Sequence, residues 1–156
     1  MLGRKPRAPD DRKVIRAEGF ELVDRNGKTR AGLVLEPDGT VLLAFLDRGG
    51  KFRAMLGVDA DGMPTLVLGD RNGNARAGVV VREDGTTEVN LSDAEGRVRA
   101  ALTVEQDGIA GLNLAGVDGA ARARLTVAAD GTPSLEFFDR GETPSLTARP
   151  TPKRKS

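Results

Sequence analysis

Residues 76–98 read Arg76-Ala77-Gly78-Val79-Val80-Val81-Arg82-Glu83-Asp84-Gly85-Thr86-Thr87-Glu88-Val89-Asn90-Leu91-Ser92-Asp93-Ala94-Glu95-Gly96-Arg97-Val98. Ala77, Val79 and Val81 fall at alternate positions, and Val89 and Leu91 do the same after a break. Period-two alternation over short runs marks β-strands with one apolar face. Each run ends in a turn signal, Glu83-Asp84-Gly85 after the first and Asp93-Ala94-Glu95-Gly96 after the second. Glycine at these places supplies the left-handed residue that a tight hairpin needs. The stretch therefore reads as strand, hairpin, strand, hairpin.

The same unit recurs in both directions without slippage. Arg30-Ala31, Arg53-Ala54, Arg76-Ala77, Arg99-Ala100 and Arg122-Ala123 step by 23 residues, as do Asp38-Gly39, Asp61-Gly62, Asp84-Gly85, Asp107-Gly108 and Asp130-Gly131. A fixed period of this length marks an array of one supersecondary unit. Five full repeats follow a half repeat that supplies Phe20 and Leu22, and Val14 and Ile15 are expected to open a strand before it. The residues between the apolar positions, such as Gly78, Asn90, Thr103, Asn113 and Ser134, suit a solvated outer face.

The pattern predicts an all-β fold, an antiparallel meander of 11 to 12 strands. A parallel β-solenoid is the alternative, but its coils would stack each Arg and each Asp of the series on its own kind about 4.8 Å away, and like charges that close are destabilising. One apolar face on so wide a sheet must be covered, so the meander is expected to be curled, sandwiched, or paired with another copy. A fainter 46-residue echo, Asp24-Arg25-Asn26-Gly27 against Asp70-Arg71-Asn72-Gly73, raises propeller-like blades closed by oligomerisation as a further alternative.

The ends differ from the array. Residues 1–13 and 149–156 read as basic, disordered tails around a β-repeat domain at 14–148. Arg4, Lys5, Arg7, Arg12 and Lys13 cluster at one end, and Arg149, Lys153, Arg154 and Lys155 at the other. With Arg16 included, residues 1–16 carry +4, residues 147–156 carry +4, and the body between them carries −7. Such sign asymmetry marks interaction tails. From Gly141 to Pro150 the unit breaks down: Ser145 stands where Arg is due, and Pro144 and Pro150 flank Leu146 to Ala148. Proline at an edge strand blocks further pairing and serves as a cap.

The run Phe20-Glu21-Leu22-Val23-Asp24-Arg25-Asn26-Gly27-Lys28-Thr29-Arg30-Ala31 and its repeats resemble bacterial tandem-repeat β proteins of unassigned role. Their Asp-x-x-Gly spacing is distantly similar to that of YD/Rhs repeats. The resemblance covers about residues 14 to 148 and implies a large curved antiparallel sheet. This chain has no Tyr, so it departs from the YD pattern, and an encapsulating role does not carry over. The resemblance brings no catalytic or binding residues.

With neither His nor Cys, the chain lacks the usual general base, the commonest metal ligand and any thiolate or disulfide chemistry. No nucleophile elbow, phosphate loop or dinucleotide fingerprint is present, and the expectation is a non-enzyme without cofactors. Paired carboxylates such as Glu36 and Asp38 read as turn-forming acids. Asp59, Asp61, Asp70 and Asn72 place oxygens at alternate positions, as calcium loops do, but without the full loop or its terminal Glu. Each Arg of the repeat is expected to flank the hairpin opened by the preceding Asp, as Asp47 and Arg53 or Asp70 and Arg76 would. The fifth repeat has Gly116 in the Asp position. Arg48-Gly49-Gly50 is a lone triplet, and Asn90-Leu91-Ser92 is a glycosylation sequon by pattern only. The longest apolar run, Val41 to Leu46, is far short of a spanning helix, and a soluble, cytoplasmic protein is expected.

These readings converge on a structural or interaction module: a self-associating β-repeat scaffold, with the chain itself as its partner. An adaptor whose tails bind nucleic acid or another polyanion and a calcium-dependent scaffold are the alternatives.

Overall fold

The computed structural model describes residues 15–139 and 143–149. Among these residues twelve strands form one sheet in strict sequence order, every pair antiparallel. They are β1 (Gly19–Val23), β2 (Thr29–Leu35), β3 (Val41–Leu46), β4 (Phe52–Val58), β5 (Pro64–Gly69), β6 (Ala75–Val81), β7 (Thr87–Ser92), β8 (Val98–Val104), β9 (Ala110–Ala115), β10 (Ala121–Val127), β11 (Pro133–Phe138) and β12 (Pro144–Ala148). The meander is confirmed; the antiparallel pairing rules out the solenoid, and the unbroken sheet has no blade boundary.

Two expectations are corrected. Strands touch only their sequence neighbours, so the sheet stays open and single-layered rather than folding into a sandwich. The first strand begins at Gly19: Ile15 lies outside any strand and is exposed, and Val14 falls outside the described residues.

The ten described hairpins close in one way, although the sequence presents two kinds of turn. In each, the carbonyl of the first turn residue accepts a hydrogen bond from a glycine N–H three residues on, as Arg82 does from Gly85 and Asp93 does from Gly96. The first residue's own N–H then donates to the carbonyl four residues on, as Arg82 does to Thr86. The glycine sits at positive φ, 85° at Gly85 and 80° at Gly96, which the left-handed position of a three-residue hairpin loop requires.

The repeat arginines occupy a place that alternation alone did not reveal. Across β3 and β4, Phe45 pairs with Ala54 and Leu46 with Phe52, which leaves Arg53 as an extra, unpaired residue. Arg30, Arg76, Arg99 and Arg122 are left over in the same way, and Ser145 takes the slot in β12. Each is a β-bulge, which bends the strand and increases its twist. The bulge also explains the odd period. Over 23 residues a period-two pattern would change faces, and one extra residue per repeat restores it.

With register restored, the two faces separate. Face A carries an unbroken cross-strand row, Phe20, Leu33, Leu43, Leu56, Leu66, Val79, Val89, Leu102, Leu112, Leu125, Leu135 and Ala148. Face B is mixed. In its N-terminal half Leu42, Leu46, Met55 and Val67 are half-buried, and the Phe52 ring lies over Gly69 so closely that an added Cβ would stand 2.8 Å from it. In its C-terminal half Arg124 lies 5.2 Å from the centre of the Phe138 ring, and Phe138 is the one buried apolar residue among those described. Gly78, Asn90, Thr103, Asn113 and Ser134 on face B are half-buried, whereas the large residues of face A stand more exposed, and in a single layer both faces meet solvent.

Gly85 and Gly78 separate the two roles of glycine here. Gly85→Ala is expected to destabilise by about 1–2 kcal/mol, the cost of a left-handed alanine. Gly78 has no positive φ, and its nearest neighbour to an added Cβ is Leu66 O at 3.7 Å. Gly78→Ala is therefore expected to be neutral or to stabilise by up to about 1 kcal/mol. Urea denaturation of both variants checks this, and equal losses would contradict it.

Candidate interaction surface

The two ends of the sheet differ in chemistry. At one end lie the turns at 24–28, 47–51, 70–74, 93–97 and 116–120, each followed by a bulge arginine. At the other lie the turns at 36–40, 59–63, 82–86, 105–109 and 128–132. At the first end, Asp24, Asp47, Asp70 and Asp93 stand at the first turn position, and one carboxylate oxygen takes two backbone N–H groups. Asp24 Oδ1 accepts from Asn26 at 2.8 Å and Lys28 at 3.1 Å. At the opposite end the acid stands third, and Asp38, Asp84, Asp107 and Asp130 each accept from the residue two on. Bonds to the ionised form favour it: the Asn26 and Lys28 N–H groups hold Asp24 below the usual carboxylate range, and the Thr86 N–H does so for Asp84.

The arginines tie the first end together. Arg53 reaches Asp47 at 3.9 Å, Arg76 reaches Asp70 at 3.8 Å and Arg99 reaches Asp93 at 3.7 Å. Arg76 Nε also donates to the Ser92 carbonyl, and Arg99 Nε to the Ala115 carbonyl, both at 2.8 Å. Those carbonyls belong to the next strand, so one guanidinium holds a turn and its neighbour at once. In the fifth repeat Asp118 replaces the acid missing at Gly116: it caps the Ala120 N–H and pairs with Arg122. The pairing survives although Gly116 stands in the Asp position. Arg30 differs, with a shielded Nη1 that has no hydrogen-bond partner.

The glycines of the Asp-Gly series, Gly39, Gly62, Gly85, Gly108 and Gly131, all sit at positive φ in the opposite end's turns. The four calcium candidates are not brought together. Asp59 and Asp61 lie in the hairpin between β4 and β5, and Asp70 and Asn72 in the one between β5 and β6, at the other end of strands about 20 Å long. Asp59 Oδ1 is engaged by the Asp61 and Met63 N–H groups, and Asp70 Oδ1 by those of Asn72 and Asn74. Among the described residues no group of three or more acids is placed to hold a metal ion. Of the tail cations only Arg149 is described, exposed just beyond β12; Arg4, Lys5, Arg7, Arg12, Lys13, Lys153, Arg154 and Lys155 lie outside the described residues.

The largest chemical feature is face A itself. The exposed large apolar side chains among the described residues all lie on it, except Ile15, Val23, Val98 and Val117. Leu56 is 53% exposed and Leu102 50%. Beside the central row runs a second, in which large and small residues alternate from β1 to β11: Leu22, Ala31, Phe45, Ala54, Leu68, Ala77, Leu91, Ala100, Leu114, Ala123 and Phe137, followed by Leu146 on β12. No charged residue stands in either row, and along the third, toward the Asp-Gly turns, Thr87 is the polar exception. Contiguous apolar patches beyond a few hundred Å² mark interaction surfaces.

Register also sorts the charges. The five arginine-end turns with their bulge residues hold eleven basic and six acidic side chains, a net +5; the five opposite turns hold nine acidic and one basic, a net −8. The acidic body inferred from composition is thus divided across the strands, a division that appears only once each turn is assigned to its end.

No protein-family model matches the chain, and no curated protein matches it either. No helix among the described residues is long and apolar enough to cross a membrane.

Two outcomes test the turn chemistry. Arg99→Ala is expected to lose about 1 kcal/mol through its carbonyl and carboxylate partners, and Arg99→Lys to recover less than half of that, since an ammonium lacks the fork. Urea midpoints decide, and an unchanged Arg99→Ala would refute the role. The capped aspartates have folded pKa values below their ordinary 3.8. Their contribution is therefore present above that value and is lost as pH falls through the folded one. The midpoint should be flat above about pH 5 and decline below about pH 4. In Asp38→Asn/Asp84→Asn/Asp130→Asn, whose amide oxygens still accept the N–H groups, the acid decline should be shallower; parallel curves would contradict the assignment.

Proposed function

We propose that this protein is a non-enzymatic structural module, a β-repeat scaffold that assembles with further copies of itself through face A. The observation that carries the reading is the uncharged apolar face, exposed from β1 to β12. Twelve strands at ~4.8 Å spacing, with six residues of ~3.3 Å each, give a face of about 1,000 Å². A typical stable interface takes about 800 Å² from each partner. Any sheet with one apolar face must bury it against another element, and a second copy supplies an identical face. The basic tails fit the same scheme by docking on the acidic turns of a neighbour, a contribution that salt would screen.

Analytical ultracentrifugation of the full chain over a concentration series, at ~50 and ~500 mM salt, tests the reading. A defined larger species is expected at both, with any tail contribution lost at high salt. Leu66→Glu/Leu102→Glu places two charges on exposed positions of face A, and it should remain monomeric with an unchanged β circular-dichroism spectrum. A wild-type monomer at every concentration and both salts would overturn the proposal.

A further inference from the structure

The self-association proposed above leaves open how two faces meet, and three features of the sheet decide it. The first is the charge division across the strands, +5 over the five described turns at the arginine end and −8 over the five at the Asp-Gly end. The second is the step pattern of the two outer rows of face A. On the even strands from β4 to β10 the row near the arginine end is small and the row near the acidic end is large: Ala54 with Val58, Ala77 with Val81, Ala100 with Val104, Ala123 with Val127. Most odd strands reverse this, as Leu68 with Pro64, Leu114 with Ala110 and Phe137 with Pro133 do. The third is the central row, large from β1 to β11 and therefore indifferent to which strand lies above it.

We infer that face A closes on face A of a second copy about a two-fold axis running across the strands, so that each strand lies over its own counterpart with direction reversed. Reversal sets the arginine end of one sheet beside the Asp-Gly end of the other, and opposite net charges meet along both margins. It also sets Ala77 over the partner's Val81 and Leu114 over the partner's Ala110, so small positions receive large ones. An axis along the strands would preserve the ends, placing +5 beside +5 and −8 beside −8. Like-charge juxtaposition of that kind is what suppresses a wrong docking mode. The contact is isologous, so it closes at two copies. Two twisted sheets packed with strands nearly aligned form a sandwich about 10 Å thick, and the twist accumulates along the proposed axis, so both layers can turn together.

This inference rests on self-association through face A, and its test is built so that the two fail separately. The chain has no native Cys, so single spin labels can be placed at Arg25→Cys and Arg71→Cys, equivalent exposed turn positions two repeats apart. With strands reversed over their counterparts, both label pairs should lie at one common distance, roughly 25 Å from strand length and layer spacing. With the axis along the strands, they would differ widely, at roughly 50 Å for Arg25→Cys and 15 Å for Arg71→Cys. A second arm reverses charge. Glu36→Lys/Glu83→Lys/Glu105→Lys should weaken the dimer more than tenfold at ~50 mM salt and little at ~500 mM. Adding Arg25→Glu/Arg48→Glu/Arg71→Glu to the same chain should restore it. A monomeric wild type would sink the self-association reading itself. A dimer with unequal or broadly spread distances, or one that ignores the charge reversal, would overturn this arrangement and leave self-association standing.

Discussion

Each of the ten described hairpins closes because a carbonyl at the first turn position accepts a hydrogen bond from a glycine N–H three residues on, with that glycine at positive φ. Register follows from this contact, since a three-residue loop with a left-handed last residue admits one pairing of the flanking strands. A slip of one residue would move every side chain to the other face. Nothing else in the molecule could resist such a slip strongly, because a single layer has almost no buried core to lose. The aspartates that cap the turns and the arginines that bridge to the next strand secure a register that packing elsewhere would secure. Their individual contributions are modest, and the full set of turn acid, ion pair and next-strand carbonyl is present at Arg76 and Arg99.

Much of this was legible in the sequence. The 23-residue step, the alternating apolar residues and the Asp-Gly turns led directly to an antiparallel meander, and the Asp47–Arg53 and Asp70–Arg76 pairs were readable from spacing. The bulges were not, because a bulge leaves no residue type of its own. Its trace was arithmetic: an odd period cannot keep period-two equivalents on one face unless one residue per repeat is unpaired. Asp118 was missed as the partner of Arg122 because it sits two residues beyond the expected place, where the backbone still points its carboxylate at the same guanidinium. The exposure of face A was also misjudged. Alternation tells which residues share a side, not whether anything lies over them.

The division of charge between the ends arises from the same turns. The arginine end carries a bulge residue in every repeat, and the bulge is where Arg stands; the opposite end has no bulge, and its turns hold nine acids against the single base Arg82. A structural device that corrects register thus also polarises the sheet across its strands. Composition reports only a net charge of +1, because summing along the chain mixes turns that lie at opposite ends of the fold.

An open sheet with an apolar face has two ways to grow, along its edges or over its face. The edge route is poorly suited to this chain. β12 begins at Pro144 and carries a bulge at Ser145, both of which disturb an orderly ladder for an incoming strand. β1 is only five residues long, and short edge strands offer few backbone groups. The face route meets no such obstacle, since two uncharged rows run the whole width and a third, with a single hydroxyl, runs from β2 to β11. Edge protection and face exposure in one molecule direct association into the layer above. A closed two-layer assembly is what that combination of constraints selects, since pairing of the two apolar faces leaves the mixed face B of each copy toward solvent.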